Sequence, residues 1–206
     1  ELNPITKIIF NKNDSKVLTY QDDDGTLVEP EFYVPIIPMV LINGVKAGIG
    51  TGYSCSVLSY SPQEIIDYLI KRLNGGEPVC DFMPYVNGFT GTVEKHKEKY
   101  IFRGVYTVDK KTVQINELPI GVWIEDYKEY LEKLIDTNKI KGYKDMSTDK
   151  KIDFNITFDS HETIAELIKK TNEYGNHLET LLKLNTTKTK SNMHLFDKDQ
   201  KIIHYK

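Results

Sequence analysis

Several familiar chemistries are missing from this 206-residue chain. It holds two cysteines, Cys55 and Cys80. They are too few for a disulfide framework and too widely spaced for a metal knuckle. The expectation is two reduced thiols in a cytosolic or nuclear protein. A basic excess is also absent, since 27 Lys and Arg stand against 30 Asp and Glu, for a net charge of -3. A small domain that binds DNA alone shows a basic surplus, because phosphate neutralisation supplies most of its non-specific affinity. This chain therefore either avoids nucleic acid or makes a local contact inside a larger, more basic assembly. No apolar run has the length of a membrane span and no signal-peptide pattern is present, so no membrane partner is expected.

Catalytic signatures are missing as well. The cluster Gly48-Ile-Gly-Thr-Gly52 is followed by Tyr53 where a dinucleotide fingerprint needs its third glycine. No Gly-Lys-Ser/Thr completes a phosphate loop, and no serine sits in a Gly-x-Ser-x-Gly elbow. His96, His161, His177, His194 and His204 are scattered without zinc-protease spacing. Asp22, Asp23 and Asp24 fit a solvated turn better than a cation site. The residues by themselves imply no catalytic centre, no metal site and no bound cofactor.

What is present is the pattern of a globular α+β protein, with 39% hydrophobic and 28% charged residues. Asp22-Asp-Asp-Gly25 predicts the turn of a short hairpin. Val34 to Ile42 is apolar but broken by Pro35 and Pro38, which predicts an extended buried segment. Gly48 to Gly52 predicts a glycine-dense loop able to approach another molecule closely. Ser61-Pro-Gln-Glu64 predicts a capped helix start, and Ile65, Ile66, Leu69, Ile70 and Leu73 continue it at helical spacing to Asn74-Gly75-Gly76. Gly91 to Glu117 predicts an antiparallel β-meander, with Tyr100 to Tyr106 as one of its strands. A helix is expected over Trp123 to Ile135, with Trp123, Tyr127, Tyr130, Leu131 and Leu134 on one side. Ile152 to Phe158 alternates as a half-buried strand, Ser160 starts a further helix, and Met193 to Phe196 reads as the last strand.

One stretch is unusual: Val28-Glu-Pro-Glu-Phe-Tyr-Val-Pro-Ile-Ile-Pro-Met-Val-Leu-Ile-Asn-Gly44, then Gly48-Ile-Gly-Thr-Gly-Tyr-Ser54. It resembles the segment that follows the active-site tyrosine in eukaryotic and viral type IIA DNA topoisomerases. The resemblance continues in order through Gly75-Gly-Glu-Pro78, Met83-Pro-Tyr85, Gly88-Phe-Thr-Gly-Thr92, Ile115-Asn-Glu-Leu-Pro-Ile120, Trp123 and Ser191-Asn-Met-His-Leu-Phe-Asp197. It departs from the family in three places. Val45-Lys46-Ala47 is one residue longer than the usual approach, Tyr53 replaces a tryptophan, and Ser56 and Leu58 replace a lysine and a proline.

The resemblance implies an architecture and a role. Residues 1–59 are expected to be the end of a winged-helix region with the DNA-bending loop, and residues 60–206 an α+β tower domain. The chain opens at Glu1 rather than methionine and closes on Lys201-Ile-Ile-His-Tyr-Lys206, so a segment of a longer enzyme is expected. In that enzyme the nucleophilic tyrosine lies just upstream. ATP and Mg2+ are used by domains outside this chain, so the segment alone is expected to be inactive. The implied partners are double-stranded DNA, the remaining topoisomerase domains and a second copy in a homodimer, in the nucleus or at a viral replication site. The matching DNA wedge is Ile49, with Asn43, Lys46, Gly48, Gly50 and Thr51 as neighbouring DNA contacts. On the residues alone, Ile49 also fits a core position in a tight turn. Two other readings stand beside this one: a stand-alone DNA-bending or structural module, and an unrelated domain whose glycine loop takes an anion.

Overall fold

A computed structural model of the chain describes residues 2–205. The described chain divides into two compact units. One runs to Tyr85 and resumes at Met193–Tyr205, and the other is Val86–Asn192. The boundary between residues 59 and 60 drawn from the sequence falls inside the first unit, because Ser59 Oγ donates to the Tyr85 carbonyl at 2.7 Å and Tyr60 bridges to Pro84.

In the second unit the alternation of strand side chains builds the core. A four-stranded antiparallel sheet is ordered Val105–Asp109, Thr112–Glu117, Phe154–Thr157, Gly142–Asp145. Phe154 lies opposite Ile115, and Ile156 opposite Val113. All four are fully buried on the face they share. The helix Ile124–Asp136 covers that face with Tyr127, Leu131 and Leu134, spaced four and three residues apart. Helices His161–Lys169 and His177–Leu181 add Ile164 and Leu178. Their starts are capped as the sequence chemistry requires. Ser160 Oγ accepts from the Thr163 N–H at 3.3 Å, and Asn176 Oδ1 accepts from the Glu179 N–H at 2.8 Å.

Three sequence expectations change here. Tyr100 to Tyr106 is not one strand. It breaks at Gly104 into Lys99–Arg103, which pairs with Thr92–His96 and Asn185–Thr189, and Val105–Asp109, which enters the four-stranded sheet. A Cβ at Gly104 would collide with the Glu117 carbonyl oxygen, so only glycine lets the chain cross between sheets at that point. Trp123 is 64% exposed and stands at the helix N-cap rather than on its packed side. Ser61 precedes the helix Pro62–Leu73 but its side chain makes no cap hydrogen bond. Gln63 instead donates its amide to Asp67, at 2.9 Å one turn along.

Two side chains in this unit carry predictions. The Tyr127 hydroxyl donates to the Leu182 carbonyl at 2.8 Å inside the core, and burial pushes its pKa well up. Tyr127→Phe removes the donor and leaves that carbonyl without it, so a loss of about 1–3 kcal/mol is expected by chemical denaturation. At the surface, the Glu173 carboxylate accepts from Lys97 Nζ at 2.6 Å and lies 2.9 Å from His96 Nε2. The Lys97 hydrogen bond, then that of His96, draw its pKa from 4.5 down to about 2. The folded value is below the unfolded one. Its contribution is therefore complete above about pH 4.5 and is lost as pH falls toward 2. Melting temperatures of wild type and Glu173→Gln should converge over that window, by a small amount because the pair is exposed. A gap that stays constant down to pH 2 would reject the ion pair.

Candidate nucleic-acid interface

The first unit builds its most exposed apolar feature from a short chain of local causes. Met39–Asn43 is a single helical turn, not the extended buried segment expected, and the flanking Val34 and Ile36 are 53% and 56% exposed. The two prolines precede the turn, and Pro38 forms its N-cap. The turn ends at Gly44, whose φ is 66°. A Cβ there would lie 2.8 Å from the Val57 carbonyl oxygen and 3.0 Å from the Ser59 nitrogen, so both the backbone angle and the close approach call for glycine.

After Gly44 the chain does not form a loop. Val45–Gly50 and Tyr53–Val57 pair as an antiparallel hairpin closed by Thr51 and Gly52. Gly52 has a φ of 82°, which supplies the left-handed residue that a two-residue turn needs. The register shifts between Val45↔Val57 and Gly48↔Cys55. Lys46 and Ala47 thus oppose Ser56 alone, and the bulge absorbs one extra residue.

Ile49 is the last apolar residue before the tip, and it is 87% exposed. It pairs with Ser54 while Gly50 pairs with Tyr53, so Ile49 and Tyr53 leave the hairpin on opposite faces. Gly50 has no atom within 4 Å of where its Cβ would be, which leaves room on that side of Ile49 for another molecule. Lys46, Gly48, Ile49, Gly50 and Thr51 therefore share one hairpin. Asn43 stays at its base, exposed on the last residue of the helical turn.

A second hairpin lies against the first and was not foreseen from the sequence. Met193–Phe196 pairs with Ile202–Tyr205, and His194 stands directly opposite His204. The two imidazoles stack with centroids 4.7 Å apart and planes 16° from parallel. Tyr53 reaches His194, with ring centroids 6.1 Å apart. A shallow groove of about 260 Å³ runs between the hairpins, lined by Ile49, Thr51, Tyr53, His194, Phe196 and Ile202 among others. The apolar alternation of Met193 to Phe196 gave a strand; its partner hairpin lies over 130 residues away in sequence, where local pattern carries no signal.

Among the described residues no group of three or more His, Cys, Asp or Glu comes together that could hold a metal ion. No described helix is long and apolar enough to cross a membrane. What the site offers is an exposed aliphatic wedge on a narrow glycine-lined tip, with a lysine and a threonine beside it.

Comparison with known proteins gives the same direction throughout the chain. The family model for the A-type chain of DNA gyrase/topoisomerase IV matches residues 1–206. DNA topoisomerase 2 of Arabidopsis thaliana is 38% identical over 218 residues, covering 100% of this chain and 14% of that protein. DNA topoisomerase 2 of Plasmodium falciparum is 39% identical over 205 residues, covering 97% of this chain and 14% of that protein. The chain thus spans about one seventh of the length of these relatives. The crystal structure of the Plasmodium falciparum topoisomerase II DNA-binding, cleavage and re-ligation domain superposes with a TM-score of 0.85 at 36% identity, over 97% of this chain and 27% of that one. Fold, order of motifs and sequence agree, and the chain belongs to the DNA gyrase/topoisomerase IV family, with its similarity to DNA topoisomerase 2 of eukaryotes.

Proposed function

We propose that this chain is part of the DNA cleavage-reunion core of an ATP-dependent type II DNA topoisomerase, which passes one duplex through a transient double-strand break in another. Within that core the hairpin Val45–Val57 binds the cleaved duplex and bends it by inserting Ile49 between base pairs. The observation that carries this reading is an isoleucine 87% exposed at the end of a glycine-lined hairpin. An isolated exposed aliphatic side chain adds nothing to its own fold, whereas an apolar wedge can unstack a base step at a cost of a few kcal/mol. Lys46 and Thr51 are placed to meet the phosphates on either side, Gly48 and Gly50 let the backbone approach, and Asn43 contacts DNA from the base of the hairpin.

Residues up to 59 act as the end of the winged-helix region and bending loop, and those from 60 onward as the tower, with Val86–Asn192 as its compact body. Leu2, Ile5, Ile8 and Phe32 are all more than half exposed, which supports packing of this region against other parts of the longer protein. The described residues do not fit a metal site, and the sequence carries no nucleotide-binding signature, so ATP and Mg2+ belong to those other parts. The longer protein works as a homodimer in the nucleus of its cell, or where a viral genome is copied.

The test is relaxation of supercoiled plasmid by the full-length enzyme. ATP-dependent relaxation in steps of two linking numbers is expected, with none from the 206-residue chain by itself. Relaxation in steps of one, or without ATP, would overturn the reading.

A further inference from the structure

A two-stranded hairpin is marginally stable in water without further support, yet a wedge must hold its side chain in place while a stiff duplex bends around it. The contacts on the far side of the wedge hairpin address this problem. Alternation puts Gly48, Gly50, Tyr53 and Cys55 on the face away from Ile49. Three of the four are small, so Tyr53 is the only large side chain on that face. Its ring meets His194 at 6.1 Å, and His194 stacks at 4.7 Å on His204 across the second hairpin. Register puts Phe196 and Ile202 on the same face as the two histidines, and both line the groove against the first hairpin.

We propose that Tyr53, His194 and His204 form an aromatic brace that fixes the Ile49 hairpin at the angle needed to enter DNA, which makes them positioning residues for bending. This rests on the wedge reading of Ile49. Planar rings suit the role, because they fill the gap between hairpins with few rotatable bonds and prefer a defined ring geometry. The order of the stack assigns distinct parts. Tyr53 belongs to the wedge hairpin, His194 transmits the contact, and His204 holds His194 without a ring contact to the first hairpin.

The experiment measures end-to-end energy transfer on a labelled duplex bound to the full-length enzyme, with thermal melting alongside. Tyr53→Ala and His194→Ala are expected to lower the bent-to-straight ratio by about three- to tenfold, the size of one aromatic pair contact. Tyr53→Phe and His194→Phe should restore it, since the ring and not the polar group carries the contact. His204→Ala should give a smaller loss in the same direction with an unchanged melting curve, which keeps the test open if the first two variants fold poorly. If Ile49→Ala abolishes bending while none of the brace variants alters it, the brace is wrong and the wedge stands. If Ile49→Ala leaves bending unchanged, the wedge reading fails first.

Discussion

Ile49→Ala in the full-length enzyme is expected to reduce the bent-to-straight ratio of bound duplex by roughly thirtyfold and to cut plasmid relaxation with it. The size follows from what the side chain does in each state. Free, it is 87% exposed and hydrated. Inserted, it is enclosed by two base pairs, and full burial of an isoleucine is favourable by about 2 kcal/mol. That gain offsets part of the unstacking and of the about 1–6 kcal/mol of smooth bending. Alanine is too short to fill a base step, so most of the offset is lost, and about 2 kcal/mol corresponds to roughly thirtyfold. Two controls follow from the same geometry. Melting should shift by no more than about 0.5 kcal/mol, because an exposed side chain contributes little to folding. The slope of affinity against salt should not change, since that slope counts phosphates neutralised by cations and isoleucine neutralises none. Unchanged bending with a lowered melting temperature would make Ile49 a packing residue.

How much of this was legible in the sequence depends on the distance over which each element is decided. The helices Pro62–Leu73 and Ile124–Asp136 declare themselves by apolar spacing within single turns. The strand Phe154–Thr157 does so by strict alternation, and the first hairpin by its Asp24-Gly25 turn, where both residues take positive φ. The wedge residue was found through family resemblance, while its scaffold was not. Gly48, Gly50 and Gly52 read as a loop because glycine disfavours strands by propensity. Pairing with Tyr53–Val57 overrides that preference, and a partner strand is not a local property of the segment that pairs. The same holds for Gly104. Its flanks both read as strand, and only the approach of Glu117 from another sheet shows why the chain must change direction there. The brace is least legible of all, since Tyr53 and His194 are brought together by the fold alone.

Phe154→Ala is expected to be the most destabilising single truncation in Val86–Asn192, at about 3–5 kcal/mol. The position explains why. Phe154 is fully buried at the start of a central strand, with pairing partners on both sides, Ile115 and Asp145. Its ring meets Tyr127 edge-on at 5.4 Å and 76°, and Tyr143 at 6.2 Å. Tyr127 comes from the covering helix, and its hydroxyl is tied to Leu182, so one ring joins the sheet to two helical segments. Collapse into the cavity is opposed, because the strand is held by its ladder on both edges and Tyr127 by its hydrogen bond. The cavity term therefore stays near its full value rather than relaxing away. A domain of this size has a total stability of about 5–15 kcal/mol, so a third or more of it would be lost. Phe154→Leu keeps most of the volume and should cost well under half as much. If denaturant titration finds less than about 1 kcal/mol for Phe154→Ala, the ring is not what joins sheet to helix, and the core must be held by Leu131 and Ile156 instead.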